Sequence, residues 1–303
     1  MSNAKEIKNR IGSVTDTQKI TNAMYLIAST KLRKARTDMT NTSPYFETLK
    51  GEIERIFRSI DHIDSDFFLP EGLDDSRENF SKPGKYAILV ITADKGLAGS
   101  YNQSVIKETL KLLERHQDCE LFVVGEYGRN YFESHGYPIS KSFLYTAQNP
   151  NMDRAREISN LLVETYLSRY FKKVYLVYTD FGNGLNPTAQ LSRLLPLHRS
   201  HFETDVVDKG DDFEYFPSKK EVLENLIPNY ITGYIYSALV DSYCSEQNAR
   251  MMAMDRATQN AQDILDRLSL EYNHVRQGAI TQEIIEVSAG AKSLKLAKAK
   301  NRN

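Results

Sequence analysis

The sequence predicts an α/β protein: a long antiparallel coiled coil of N- and C-terminal helices with a parallel α/β domain inserted between them. Three observations carry this. All nine prolines lie between Pro44 and Pro228. Both proline-free ends carry apolar residues at steps of three and four. The middle alternates short apolar runs with helical spacing.

Proline breaks helix interiors by removing a donor and crowding the preceding turn. Its absence from residues 1–43 and 229–303 therefore permits two long helices. In the first, Ile7, Ile11, Val14, Gln18, Thr21, Tyr25, Ala28, Leu32, Ala35 and Met39 form a heptad seam with one polar patch. Met254, Ala257, Ala261, Ile264, Leu268, Tyr272, Val275 and Ala279 form the second seam. Its small residues allow close backbone approach. Doublets off the seam, Ile20 with Ala23 and Met251 with Met252, are expected to widen each apolar face. About 50 helical residues span roughly 75 Å, more than a small domain, and helices of that length usually wind around a partner. An ordinary bundle using the same stripes is the alternative.

The middle begins with Tyr86–Ala93 (YAILVITA), an apolar run suited to a strand buried on both faces. Helical spacing follows over Gln103–Arg115, then a strand at Glu120–Val124 ended by Gly125. A short helix is expected over Tyr127–His135, with Gly136 after it, and a longer one over Asp153–Tyr170. Lys173–Tyr178 (KVYLVY) reads as a third strand, and Gln190–Leu197 (QLSRLLPL) as a further candidate. The β-α-β-α-β order predicts a small open parallel sheet, a Rossmann-like domain. An acidic, proline-bounded loop is expected over His201–Pro217. The domain limits read from these signals are 1–60, 84–200 and 218–303.

Composition narrows the function. Lys plus Arg is 39 against 40 Asp plus Glu, so net charge does not drive binding to nucleic acid or an anionic membrane. Charge is uneven, however: residues 1–36 carry +6, residues 37–244 carry −9 and residues 245–303 carry +2. Cys119 and Cys244 are too few for a disulfide framework or a cysteine-rich zinc module, and are expected to be reduced thiols. No apolar run approaches the roughly 18–20 residues needed to cross a bilayer, and MSNAKEIKNR has no secretory apolar core.

Catalytic signatures are missing. The chain has no GxxxxGK[ST], GxGxxG or HExxH. Gly182-Asn183-Gly184 reads as a turn, and His198 with His201 as a solvated loop pair without a nearby cysteine. The most informative loop is Asp94–Asn102 (DKGLAGSYN), between a buried strand and a helix. Such loops bind anions or nucleotides in many α/β folds. Without a Lys-Ser/Thr pair after the glycines the structural reading is favoured: the glycines make the turn, and Asp94 or Asn102 caps it. The cluster Lys31–Arg36 (KLRKAR) is either a solvated basic face or a docking patch for acidic loops. The methionines of Ala249–Ala261 suit a core or a surface that repacks against several partners.

Several segments resemble the gamma subunit of the rotary (F-type) ATP synthase, along nearly the whole chain. At the N-terminus these are Ala4–Ile7, Thr17–Thr21, Ala23-Met24 and Lys31–Ala35. Ile91–Gly99 (ITADKGLAG) is similar to the family's first strand and turn. Most specific are Ser245–Met251 (SEQNARM), Ala257–Ala261, Tyr272-Asn273, Arg276-Gln277 and Ala279–Glu283 (AITQE). The resemblance implies a central rotor shaft, not an enzyme by itself and without cofactor or metal, coupling ion flow through the membrane ring to ATP synthesis or hydrolysis in the catalytic head. Its partners would be the alpha and beta subunits, the epsilon subunit and the membrane c-subunit ring, with no nucleic acid and no direct bilayer insertion. Its place would be peripheral, on the cytoplasmic side of a bacterial cell membrane. It implies rotor–stator contacts at Met24, Lys31, Arg33, Arg36, Arg250, Arg276, Gln277 and Thr281, and a lower-end contact at Glu214 and Tyr215, with Phe216 following. The alternatives are a nucleotide-binding α/β enzyme with helical oligomerisation arms, or a coiled-coil scaffold. A basic tail, Lys292–Asn303, follows the family's usual end.

Overall fold

We describe the protein from a computed structural model, over residues 4–59, 65–69, 84–116, 118–144, 147–182, 188–198, 202 and 214–300. The chain divides into two compact units, one of residues 1–27 with 252–303, the other of residues 28–251. Helix α1 covers Ala4–Arg58, and the sheet domain follows: β1 Lys85–Ile91, α2 Tyr101–Arg115, β2 Cys119–Val124, α3 Glu126–Ser134 and β3 Ile139–Phe143. Then come α4 Met152–Leu167, β4 Phe171–Asp180, β5 Thr188–Leu195 and α5 Lys219–Lys300. The expected turn at Asn183-Gly184, and His62, His201 and most of the acidic loop, lie outside the described residues.

In the larger unit the sheet order is β3-β2-β1-β4-β5. β1 pairs in parallel with β2 and β4, and β2 with β3, while β5 runs antiparallel to β4. Ala87, Leu89 and Ile91 point into one apolar cluster, Ile88 and Val90 into a second on the other face. Because side chains alternate across a sheet, a strand covered on both faces must be apolar throughout. That is why YAILVI reads as one unbroken run.

Two expectations need correction. The sheet contains β3 (ISKSF), which the β-α-β-α-β reading skipped. It is an edge strand with exposed Ser140 and Lys141, so its apolar signal is two residues deep. The fully parallel sheet also acquires an antiparallel edge in β5, which follows β4 closely enough to fold back as a hairpin.

Neither long helix respects the proline limits. α1 runs through Pro44 and α5 through Pro228. Around Pro228 the side chains of Leu223, Ile227, Ile231 and Ile235 are all buried at one-turn intervals. Four such burials contribute on the order of 6 kcal/mol or more, against about 3 kcal/mol for an internal proline. Packing therefore carries the helix through. Within this unit α1 and α5 run antiparallel: Lys219 Nζ donates to Ser59 O at 3.2 Å, and the Phe46 and Tyr236 rings lie 6.1 Å apart.

In the smaller unit the two seams meet. Ile7, Met254, Ala261 and Leu268 are buried, with Ile11, Val14, Ile264, Tyr272 and Val275 half-buried between them. The polar patch finds polar partners: Gln18 Nε2 donates to Gln262 Oε1 at 2.9 Å, and the Thr21 and Thr258 hydroxyls lie 2.8 Å apart. The helices are thus antiparallel here too. Ala279 departs from the expected seam and is exposed. α1 begins at Ala4, 17 residues before Thr21, and 17 residues past Thr258 is 275, so α5 runs out of partner there. The expected widening also fails in part: Ile20, Ala23 and Met252 are exposed, and only Met251 packs on the core.

Candidate functional site: the filled crevice and the basic helix faces

In an open α/β sheet the strand order reverses at a crevice beyond the carboxyl ends of two neighbouring strands, where ligands usually bind. Here those strands are β1 and β4. The crevice belongs to the larger unit, and side chains of α5 fill it. Thr179, near the end of β4, donates its N–H to Ser242 Oγ at 3.2 Å, and its carbonyl accepts from Ser245 Oγ at 3.5 Å. On the β1 side, Arg250 Nη2 donates to the carbonyls of Gly96, at 3.1 Å, and Lys95, at 3.3 Å. Its Nη1 pairs with Glu246 Oε1 at 2.5 Å. The Arg250 and Glu246 side chains are only 12% and 7% exposed. Burial pushes the Glu246 carboxyl up from its ordinary value, against the pull of Arg250. Tyr101 is buried beside them, and burial with the Glu246 charge raises its phenol well above the usual range.

The loop after β1 is built around this crevice. Asn102 Oδ1 accepts from Ala93 N at 2.9 Å and so ties the start of α2 to the strand end. Asp94 does not cap α2; its Oδ1 accepts from Glu126 N at 3.0 Å, at the start of α3. Ser100 is the N-cap residue of α2 and makes no side-chain capping bond. Leu97 and Gly99 both take the left-handed backbone, with φ of 63° and 55°. Thr92 locks the next turn: its Oγ1 donates to Val124 O at 2.9 Å and accepts from Gly128 N at 3.0 Å. The two motifs quoted above, DKGLAGSYN and SEQNARM, are therefore one structural device. Sequence reading named Arg250 as a contact with the catalytic ring, not as part of this crevice, and gave no role to Tyr101, Thr179, Ser242 and Glu246. A run of polar residues in a buried helix could have flagged them.

A half-buried carboxyl lies on the same seam. Asp241, on α5 beside Ser242, is pushed up to about 7 by burial and then by the charge of Asp180 at the end of β4. Tyr178 and Cys244 also lie within its field. An acid whose folded pKa is raised keeps its proton longer in the folded chain, so folding stability is lost as pH rises from about 4 through about 7. Asp241→Asn is expected to raise alkaline stability by on the order of 2 kcal/mol and to flatten this slope. Urea unfolding across that pH range checks it; an unchanged slope would refute the assignment.

The other predicted positions are scattered by design of the helices. Lys31, Arg33 and Arg36 are exposed on α1, and the Arg36 guanidinium sits 4.7 Å from the Phe181 ring centroid. Met24 is half-buried in the smaller unit, where Arg276, Gln277 and Thr281 are exposed. Thr281 Oγ1 donates to Gln277 O at 2.9 Å, an ordinary intrahelical bond. Glu214 is exposed and Tyr215 half-buried against the first apolar cluster, while the neighbouring Phe216 is 91% exposed.

The family model for ATP synthase matches residues 3–294. The chain belongs to the ATP synthase gamma-chain family. It is 40% identical over 301 residues to the ATP synthase gamma chain of Ruminiclostridium cellulolyticum, covering 97% of this chain and 99% of that one. It is 37% identical over 308 residues to the sodium ion specific ATP synthase gamma chain of Acetobacterium woodii, covering 96% and 99%. The fold is that of a chain in a Euglena gracilis mitochondrial ATP synthase structure (OSCP/F1/c-ring, rotational state 3), with a TM-score of 0.64, 14% identity and 97% and 95% coverage. A chain of the Tetrahymena thermophila mitochondrial central stalk and c-ring gives a TM-score of 0.56 at 24% identity, covering 78% of this chain and 99% of that one.

Proposed function

We propose that this chain is the central rotor shaft of an ATP synthase, coupling ion flow through a membrane ring to ATP synthesis or hydrolysis in the catalytic head. It is a non-catalytic subunit. The observation that carries the reading is the bare end of α5: from Arg276 to Lys292 every residue is exposed, and Ile280, Ile284 and Val287 share one apolar face without a partner among the described residues, with Ile285 exposed on another side. Exposed apolar surface of that kind marks a contact with another protein. A stator ring of alpha and beta subunits is the partner that fits. An asymmetric helical pair inside a threefold ring gives chemically identical sites different free energies, and turning it exchanges them. Each tenfold change in nucleotide affinity needs about 1.4 kcal/mol of differential contact.

Met24, Lys31, Arg33 and Arg36 on one helix, with Arg250, Arg276, Gln277 and Thr281 on the other, are the proposed contacts with the ring. Arg250 enters through the turn it holds. Glu214 and Tyr215 meet the epsilon subunit and the c-subunit ring at the lower end. The division of labour follows 1–60, 84–200 and 218–303. The complex sits peripherally at the cytoplasmic face of a bacterial cell membrane; among the described residues no helix is long and apolar enough to cross one.

The filled crevice disfavours a nucleotide-binding enzyme, since the usual ligand position is taken by Ser242, Ser245 and Arg250. The test is charge reversal on α1. Arg33→Glu is the clean variant, because Arg36 also packs on Phe181. ATP-driven ion pumping by the assembled complex should fall several-fold, while the isolated chain melts within about 2 °C of wild type, as an exposed charge contributes little to folding. Unimpaired pumping would remove Arg33 from the contact set.

A further inference from the structure

In the larger unit a cavity of about 530 Å³ opens between α1 and α5. That volume lies in the range of pockets that take small molecules. Its walls are aromatic: Phe46 from α1 and Tyr230, Tyr234 and Tyr236 from α5. Gly233, also on the wall, lets the Phe46 ring pack directly on α5. A Cβ there would sit 2.0 Å from the Phe46 ring, so the ring lies against bare helix backbone.

The charges at the cavity are lopsided. Lys50 is already paired with Glu54, Nζ to Oε1 at 3.5 Å. Glu47, which also lines the cavity, makes no ion pair among the described residues. The charge without an ion-pair partner among the described residues is thus a carboxylate on a wall shared with four aromatic rings, the Lys50 ammonium there being offset by Glu54. Aromatic rings attract cations through their negative faces, and a nearby carboxylate adds to that field. An anion would meet Glu47 and the ring faces with the wrong sign, and a neutral ligand would leave both unused.

We propose that this cavity is a binding site for a lipophilic organic cation, a flat aromatic body carrying one fixed positive charge, which stacks among Phe46, Tyr230, Tyr234 and Tyr236 with its charge toward Glu47. The assignment stands on the cavity alone and does not require the rotor reading.

The probe is N-methylacridinium, compared with acridine at mildly alkaline pH, where acridine is neutral and has nearly the same shape. Equilibrium dialysis with the full chain should show saturable binding of the cation at one site, about fivefold tighter than acridine. Glu47→Gln, a change at an exposed position, should bring the two within about twofold. Ser237→Trp, which fills the cavity from α5, should abolish binding of both. Should that variant fail to fold, Thr42→Trp from the opposite wall serves instead. No saturable binding to the wild-type chain, equal affinity for cation and neutral probe, or binding indifferent to the tryptophan variants would each overturn the proposal.

Discussion

Arg250→Ala is expected to destabilise the chain by about 3–5 kcal/mol, the usual cost of leaving a buried charge without its partner. Three losses coincide. Glu246, only 5% exposed, loses the one cation paired with it among the described residues. The carbonyls of Lys95 and Gly96 lose their guanidinium donor. The turn they belong to keeps Leu97 at a φ of 63°, a conformation side chains resist, with less to hold it there. Without Arg250 the Glu246 carboxyl should take up a proton more readily still, so the variant should lose stability as pH rises. Arg250→Ala with Glu246→Gln should recover part of the loss, because no buried charge remains. Denaturant midpoints for the two single variants and the double variant measure the coupling. A loss below about 1 kcal/mol would mean the pair contributes no more than a surface salt bridge.

Gly125→Ala should be as damaging for a different reason. Gly125 sits between β2 and α3 with a φ of 96°. A Cβ there would lie 2.3 Å from the Thr92 carbonyl oxygen and 2.7 Å from its carbon. Those are backbone atoms of the residue just after β1 and cannot swing aside as a side-chain tip could. Backbone strain and overpacking each cost about 1–3 kcal/mol, so a loss of about 3–5 kcal/mol is expected. Gly136→Ala is the control: its φ is 77° but nothing lies within 4 Å of the added atom, so only the strain applies. If the two variants unfold at the same denaturant concentration, the contact with Thr92 carries no weight.

Much of this architecture is legible residue by residue. β1, β2 and β4 announce themselves because a strand covered on both faces has no polar positions to blur it. The seams at both ends are readable because a heptad repeats many times, and even the polar patch at Gln18 and Thr21 stands out. The expected parallel order required only that a helix separate each pair of strands. β3 escaped because an edge strand of five residues places Ser140 and Lys141 toward solvent. The proline-free stretches alone would have ended the helices near 43 and 229; α1 and α5 run on because a proline is a local cost, whereas the burial of Leu223, Ile227, Ile231 and Ile235 comes from distant chain. The crevice was half legible. The turn after β1 and the polar run of α5 were both conspicuous, yet about 150 residues separate Gly96 from Arg250, and no local pattern predicts that they meet. Asp94 was misassigned for the same reason, since its partner Glu126 begins the helix after the neighbouring strand β2 rather than the adjoining helix α2.

The Gln18–Gln262 and Thr21–Thr258 pairs have a consequence of their own. Greasy seams alone tolerate sliding by a heptad, because one leucine-sized knob replaces another. A slide here would part the exposed Gln18–Gln262 amides and turn the half-buried Thr21 and Thr258 hydroxyls from each other toward hydrocarbon. The pairs therefore work like a key in a keyway: they choose a single axial setting for the two strands of the shaft, so that twist applied to one is delivered to the other without slip.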